Sequence, residues 1–222
     1  MTFAGAGFEI TPRPITVTAD PKIKVYGEAD PELTYQITAG NLAGNGDTFG
    51  GALTRDSGEN VGTYAIIQGT LALSSNYSLT YEGADFNIVR SEVAIAVVAD
   101  PQTKVYGDSD PELTYKIVSG VLIGTDTFTG ELTREPGEDV GTYAILQGTL
   151  SLGDNYTLDF SGAELTITPR PLTVTADAKS KVSGEADPEL TYRITSGELA
   201  YGDEFSGELT REPGEDVGMY PI

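Results

Sequence analysis

The segment KVYGEADPELTYQIT at 24–38 returns as KVYGDSDPELTYKIV at 104–118 and as KVSGEADPELTYRIT at 181–195. No other feature limits the folding of the chain so strongly. Near-copies at a regular interval mean one small unit built several times, not one large core. Tyr26 and Tyr106 stand 80 positions apart, and Tyr106 and Ser183 stand 77 apart. A unit of that size buries only a little more than ~60% of its unfolded surface, so each copy is expected to lean on its neighbours.

The ends are out of phase with the repeat. Residues 2–11, TFAGAGFEIT, match the segments 79–89 and 158–168 that close the first two copies, and 218–222, GMYPI, matches 62–66 and 141–145. The boundaries that follow are 1–11, the last strand of a preceding repeat; 12–90, repeat 1; 91–168, repeat 2; and 169–222, repeat 3, truncated before its last strands. The sequence thus reads as a window on a longer array. An orphan strand at 2–11 is expected to be able to complete the open third repeat of another molecule by strand exchange.

Within a copy the hydrophobic period is two, the signature of strands. In ITVTA (15–19), Ile15, Val17 and Ala19 share one face; in LTYQIT (33–38), Leu33, Tyr35 and Ile37 are expected to face inward, with Gln36 outside. The segments 52–55, 63–67, 69–73, 77–81 and 85–89 continue the pattern. Turn signals at Asp30-Pro31, Asn45-Gly46-Asp47, Ser57-Gly58 and Glu82-Gly83 separate them. The expected fold is mainly β: a tandem array of small β-sandwich or β-grasp-like domains of six or seven short strands. At most a short helical turn fits, at 41–49 and 198–205. The junctions at 10–20 and 167–177 run through Pro-Arg-Pro with no Gly/Ser linker, which predicts stiff joints and a rod that gains several tens of ångströms per copy at ~3.3 Å per extended residue. The junction at 88–100 is two residues longer and lacks those prolines, so it is expected to be bent or looser.

Charge and composition narrow the function. Thirteen basic against 34 acidic residues give a net charge of −21, which argues against nucleic acid as a partner. No apolar run approaches the ~20 residues of a membrane span. With no histidine and no cysteine, nucleophilic triads, thiol chemistry and histidine–metal sites have no residues to build them. A carboxylate pair of the glycosidase kind remains available. The acidic residues, however, repeat in every copy as a surface would, so no enzyme is expected and no catalytic residue is assigned.

Five sets of residues invite a chemical reading. Glu28, Asp30, Asp108, Asp110, Glu185 and Asp187 are alternate carboxylates in a loop and are candidate Ca²⁺ ligands; alternatively Asp30, Asp110 and Asp187 cap the turn before the proline and the glutamates face solvent. Asn76 and Asn155 lie in formal glycosylation sequons, and the same positions read equally as turns beside core tyrosines. Lys24, Lys104 and Lys181 recur before the turn, at a strand edge or in an ion pair. Arg55, Arg134 and Arg211 precede Glu59, Glu138 and Glu215 by four residues and read as exposed ion pairs of little energetic weight. The tyrosines at 35, 64 and 77 read as core aromatics before a carbohydrate platform.

Tyr-Gly followed by Asp-Pro-Glu-Leu-Thr-Tyr, a mid-domain Gly-Asp, Gly-Thr-Tyr and then Asn-Tyr-Ser/Thr together resemble the MBG domain of YGX type. The resemblance covers essentially the whole chain; Ser183, where the other copies have Tyr26 and Tyr106, is its one departure. It implies an extracellular repeat at the bacterial cell surface, with the neighbouring repeats as partners and no cofactor. The role implied is a rigid acidic stalk or fibre, or else an adhesion module that binds host or matrix glycan or protein by multivalency. Some surface-fibre domains join a Lys to an Asn by an isopeptide bond, which requires a lysine of lowered pKa and makes the three lysines candidates for that cross-link.

Overall fold

The computed structural model describes residues 1–2, 4–44 and 46–222. The Asn45 turn signal lies outside the described residues. Described residues contain strands and turns and no helix. The chain divides into two compact units. Unit 1 is Met1–Val97, Ile117–Thr129 and Leu150–Asp159; unit 2 is Val98–Lys116, Gly130–Thr149 and Phe160–Ile222.

Copy one, in unit 1, shows how the sequence builds the fold. Its strands are β1 (Arg13–Ala19), β2 (Lys22–Val25), β3 (Tyr35–Ala39), β4 (Thr54–Arg55), β5 (Gly62–Ile67), β6 (Tyr77–Glu82) and β7 (Ala84–Val89). They form two sheets, β3-β1-β6 and β2-β7-β5-β4. β1 and β2 are one ribbon that passes from the first sheet to the second at Asp20-Pro21, and β6 and β7 are a second ribbon that crosses at Gly83. The two ribbons run parallel with partners 64 residues apart on both sides of the crossing: Thr18 faces Glu82 in one sheet and Lys22 faces Phe86 in the other. Each crossing has a local cause. The Asp20 carboxylate accepts the Thr34 hydroxyl at 2.6 Å and the Gln36 amide at 2.9 Å, which pins the first bend. At the second, a Cβ on Gly83 would stand 2.9 Å from the Ile66 carbonyl oxygen.

The alternating face of β1 delivers Ile15, Val17 and Ala19 to the interior. Val17 and Ala19 pack with Leu53, Ile66, Leu71, Phe86 and Ile88, and Leu33, Tyr35 and Tyr64 close over that cluster. The outcome is two sheets that share one apolar core, a small all-β domain of the expected class with no helix among the described residues. Three local expectations change. Ile37 lies on the edge strand β3 and stays 42% exposed, so only Leu33 and Tyr35 of that run reach the core. Residues 69–73 form a turn and one isolated bridge, Gly50 to Ala72, instead of a strand. The segments expected to be helical at 41–49 and 198–205 contain no helix among the described residues; at 200–203 the chain makes a tight turn closed by Asp203 N–H to Ala200 O at 2.9 Å.

Copy two repeats the order with β8 (Ile95–Ala99), β9 (Gln102–Val105), β10 (Tyr115–Ser119), β11 (Thr133–Arg134), β12 (Gly141–Leu146), β13 (Leu158–Ser161) and β14 (Ala163–Thr168). Its sheets are β10-β8-β13 and β11-β12-β14-β9. The third copy has β15 (Thr173–Ala176) paired with β16 (Tyr192–Ser196). Residues 4–11 form no strand, and Phe8 and Ile10 are 91% and 84% exposed, although their counterparts Phe86 and Ile88 are fully buried.

Candidate functional site

Two constellations recur in the structure: a four-charge network inside each copy, and a tyrosine seam against the next. The network starts with Lys24. β2 places its Nζ below the loop 28–30, with a side chain only 3% exposed, 2.7 Å from Asp30 Oδ1 and 2.5 Å from Glu59 Oε2. Arg55, at the end of β4, faces the same two carboxylates: Nε meets Asp30 Oδ2 at 2.6 Å and Nη2 meets Glu59 Oε1 at 2.5 Å. Its Nη1 also donates to the Asp56 and Gly58 carbonyls at 3.0 and 2.6 Å. The guanidinium lies over the rings of Phe86 and Tyr64, 4.7 and 5.5 Å from their centroids. Two cations and two anions thus close on one another at the mouth of the core.

The same arrangement joins Lys104, Asp110, Arg134 and Glu138, and again Lys181, Asp187, Arg211 and Glu215. It corrects the reading of Arg55 as an exposed partner of Glu59, because the Arg55 side chain is 9% exposed. It also corrects the cross-link chemistry. Burial acts to lower the Lys24 pKa, but the hydrogen bonds its ammonium donates to Asp30 and Glu59 outweigh it and the pKa is raised. Such a lysine stays an ammonium ion and is no nucleophile. The Arg55 hydrogen bonds, working against burial and seconded by Lys24, hold Asp30 down to about 2. Asp187 sits at about 2 beside Arg211 and Lys181.

The six carboxylates considered for Ca²⁺ do not come together. Asp30, Asp110 and Asp187 sit in the networks. Glu28 and Glu185 accept the N–H groups of Val25 and Val182 at 3.2 and 3.4 Å, and Asp108 pairs with Arg170. Among the described residues no group of three or more acidic side chains is placed to hold a metal ion. The reason is stoichiometric: each Asp of the set already faces a cation of the chain itself.

The seam begins at the Tyr-Gly step. Glu28 N–H to Val25 O closes a four-residue turn at 3.1 Å, with Gly27 at φ +84°, a conformation that suits glycine at the third position. Tyr26 projects from that turn. Within unit 1 its hydroxyl donates to Asp126 Oδ2 at 2.8 Å, its ring meets Tyr156 edge-on at 5.6 Å, and Gly27 abuts Ile123 so closely that a Cβ would stand 2.3 Å from Cδ1. Tyr156 in turn donates to Asp126 at 2.6 Å and accepts the Ile123 N–H at 2.8 Å. The hydrogen bond to Asp126, with burial second, pushes Tyr26 up to about 12. Asn155 receives the Val61 N–H at 2.9 Å and donates to Asn60 at 3.0 Å, so this sequon asparagine is engaged in the seam, while Asn76 is exposed.

Unit 2 holds the second seam. Tyr106 meets Tyr201 edge-on at 5.4 Å, and Gly107 abuts Ala200 as Gly27 abuts Ile123. Hydrogen bonding to Asp203 raises the Tyr106 pKa. Arg170, from the Pro-Arg-Pro joint, adds what unit 1 lacks: its Nε donates to the Tyr106 carbonyl at 2.7 Å and its Nη2 pairs with Asp108. In unit 1 a cavity of about 300 Å³ remains beside the turn, lined by Tyr26, Glu28, Ser91, Val93 and Ile123 among others. Sequence reasoning found only the local Arg55–Glu59 pair and missed the rest of both constellations, because the contacts that close them join residues 24–100 positions apart. The signal that could have found them is the joint recurrence of Lys, Asp, Arg and Glu at one phase, and of Tyr and Asp at another.

Comparison with curated proteins and with solved structures gives no match. The family model of the MBG domain (YGX type) matches residues 15–87, 95–166 and 172–222, one match for each copy and most of the sequence in sum. The Tyr-Gly turn that gives the type its signature is the turn that carries each seam, and the chain belongs to the MBG domain (YGX type) family.

Proposed function

We propose that the chain is a non-enzymatic, extracellular structural segment: an acidic stalk or fibre of a bacterial surface protein in which each repeat braces the next. MBG repeats typically occur in surface proteins, and among the described residues no helix is long and apolar enough to cross a membrane. One observation carries the reading. In every copy the strongest polar groups are engaged with one another, two cations against two carboxylates, and the signature tyrosines Tyr26 and Tyr106 reach residues of the next copy. Groups held in that way brace a scaffold and are not free to turn over a substrate. The surplus of acid on the remaining surface, −21 in total, keeps such segments soluble and apart.

Small-angle scattering on chains of two, three and four copies tests the proposal. A maximum dimension that grows by a constant increment per copy is the expected result. A compact particle, or the scattering of a flexible string, would overturn it.

A further inference from the structure

The Asp126 carboxylate of unit 1 accepts two phenol hydroxyls, that of Tyr156 at 2.6 Å and that of Tyr26 at 2.8 Å. Asp47 holds the same place one copy earlier. Its Oδ2 accepts the Tyr77 hydroxyl at 2.6 Å, and Tyr77 accepts the Ala43 N–H at 2.8 Å, as Tyr156 accepts that of Ile123. Among the described residues no second hydroxyl reaches Asp47. Arg13 stands where Arg170 stands in unit 2, between two prolines. Arg170 binds the carbonyl of Tyr106 and the carboxylate of Asp108; among the described residues the Arg13 guanidinium makes one long hydrogen bond, 3.4 Å, to Asn41.

We propose that Arg13, Ala43, Asp47 and Tyr77 form a socket for the Tyr-Gly turn of another repeat of this kind. This specifies a partner, which the stalk reading leaves open. Asp47 takes the tyrosine hydroxyl, Arg13 takes the tyrosine carbonyl and the carboxylate that follows the glycine, and Ala43 faces the glycine. The requirement is selective on all three positions. Phenylalanine brings no donor to Asp47. A side chain in place of the glycine strikes the socket, as a Cβ on Gly27 or Gly107 would strike Ile123 or Ala200 at 2.3 or 2.4 Å. A basic residue at the third position meets Arg13 with like charge. The turn of copy three, with Ser183 before Gly184, lacks the phenol ring that would carry a hydroxyl to Asp47 and does not fit.

The test lengthens the chain in register. Inserting residues 12–89 once more before Pro12 creates a Val89-Pro12-Arg13-Pro14 joint on the pattern of Thr168-Pro169-Arg170-Pro171. Asp47→Ala in the original copy is expected to lower the melting midpoint of the lengthened chain by about 2–4 °C more than it lowers that of the 222-residue chain. The milder Tyr26→Phe in the inserted copy is expected to lower it while Asp47 is present and to have no effect after Asp47→Ala. An equal cost of Asp47→Ala in both chains, or an undiminished cost of Tyr26→Phe after Asp47→Ala, overturns the proposal.

Discussion

The guanidinium of Arg55 lies 4.7 Å from the centroid of the Phe86 ring, while its edge grips both carboxylate oxygens of Asp30. One side chain therefore caps the apolar core of copy one and anchors its charge network. Arg55→Lys keeps the charge but cannot hold two oxygens and lie flat on a ring at once. It is expected to cost about 1–3 kcal/mol in urea unfolding, against about 3–5 kcal/mol for Phe86→Ala, which empties the core beneath. An Arg55→Lys chain as stable as its parent would show that the charge alone suffices.

Acid should undo the networks late. Asp30 and Asp187 titrate at about 2, against an ordinary 3.8, and Glu59 and Glu215 are lowered as well. Carboxylates with depressed pKa values stabilise the fold above their unfolded values, and that contribution is lost as pH falls through the folded ones. Melting midpoints should hold from neutral pH to about 4.5 and fall steeply between about 4 and 2. Lys24, raised above 10.5, contributes below that value and loses its contribution only in strong alkali.

Tyr26→Phe removes one donor from Asp126 and leaves the Tyr156 hydroxyl in place, so its cost should be about 0.5–1.5 kcal/mol. In the parent chain an ultraviolet phenolate titration should include ionisation near pH 12, and its amplitude there should fall by one tyrosine in the variant.

Calcium and its removal by chelator should leave the melting midpoint where it is. Asp30, Asp110 and Asp187 already face a lysine and an arginine, and Asp108 an arginine, which calcium would have to displace. A rise of several degrees with calcium would show that displacement occurs.

Intact mass should equal the sequence mass, with no ammonia or water lost from Lys24 or Lys104. Both amines are charged donors to two carboxylates, and a protonated amine does not attack a carbonyl.

Much of this architecture is legible in the chain itself. The alternation of Ile15, Val17 and Ala19 yields β1, and the repeat yields the division into copies, because both depend on local spacing. Ile37 obeys the same alternation and is nonetheless exposed, since its strand lies at a sheet edge. Arg55 and Lys24 could not be read correctly from spacing. Each looks like surface charge until the fold brings Asp30 to Arg55 from 25 residues away and Glu59 to Lys24 from 35. The role of Tyr26 was hidden for a stronger reason. Its partner Asp126 is 100 residues distant and belongs to the following copy.

The two kinked ribbons of copy one carry a mechanical consequence. The first, entered at Arg13, and the last, left at Val89, run side by side and parallel through both sheets. Tension applied at the two ends of a copy would slide one ribbon lengthwise past the other. Such a load falls on the whole row of ladder hydrogen bonds at once instead of peeling them open one by one. A copy wired in this way resists pulling far better than its modest thermodynamic stability would suggest.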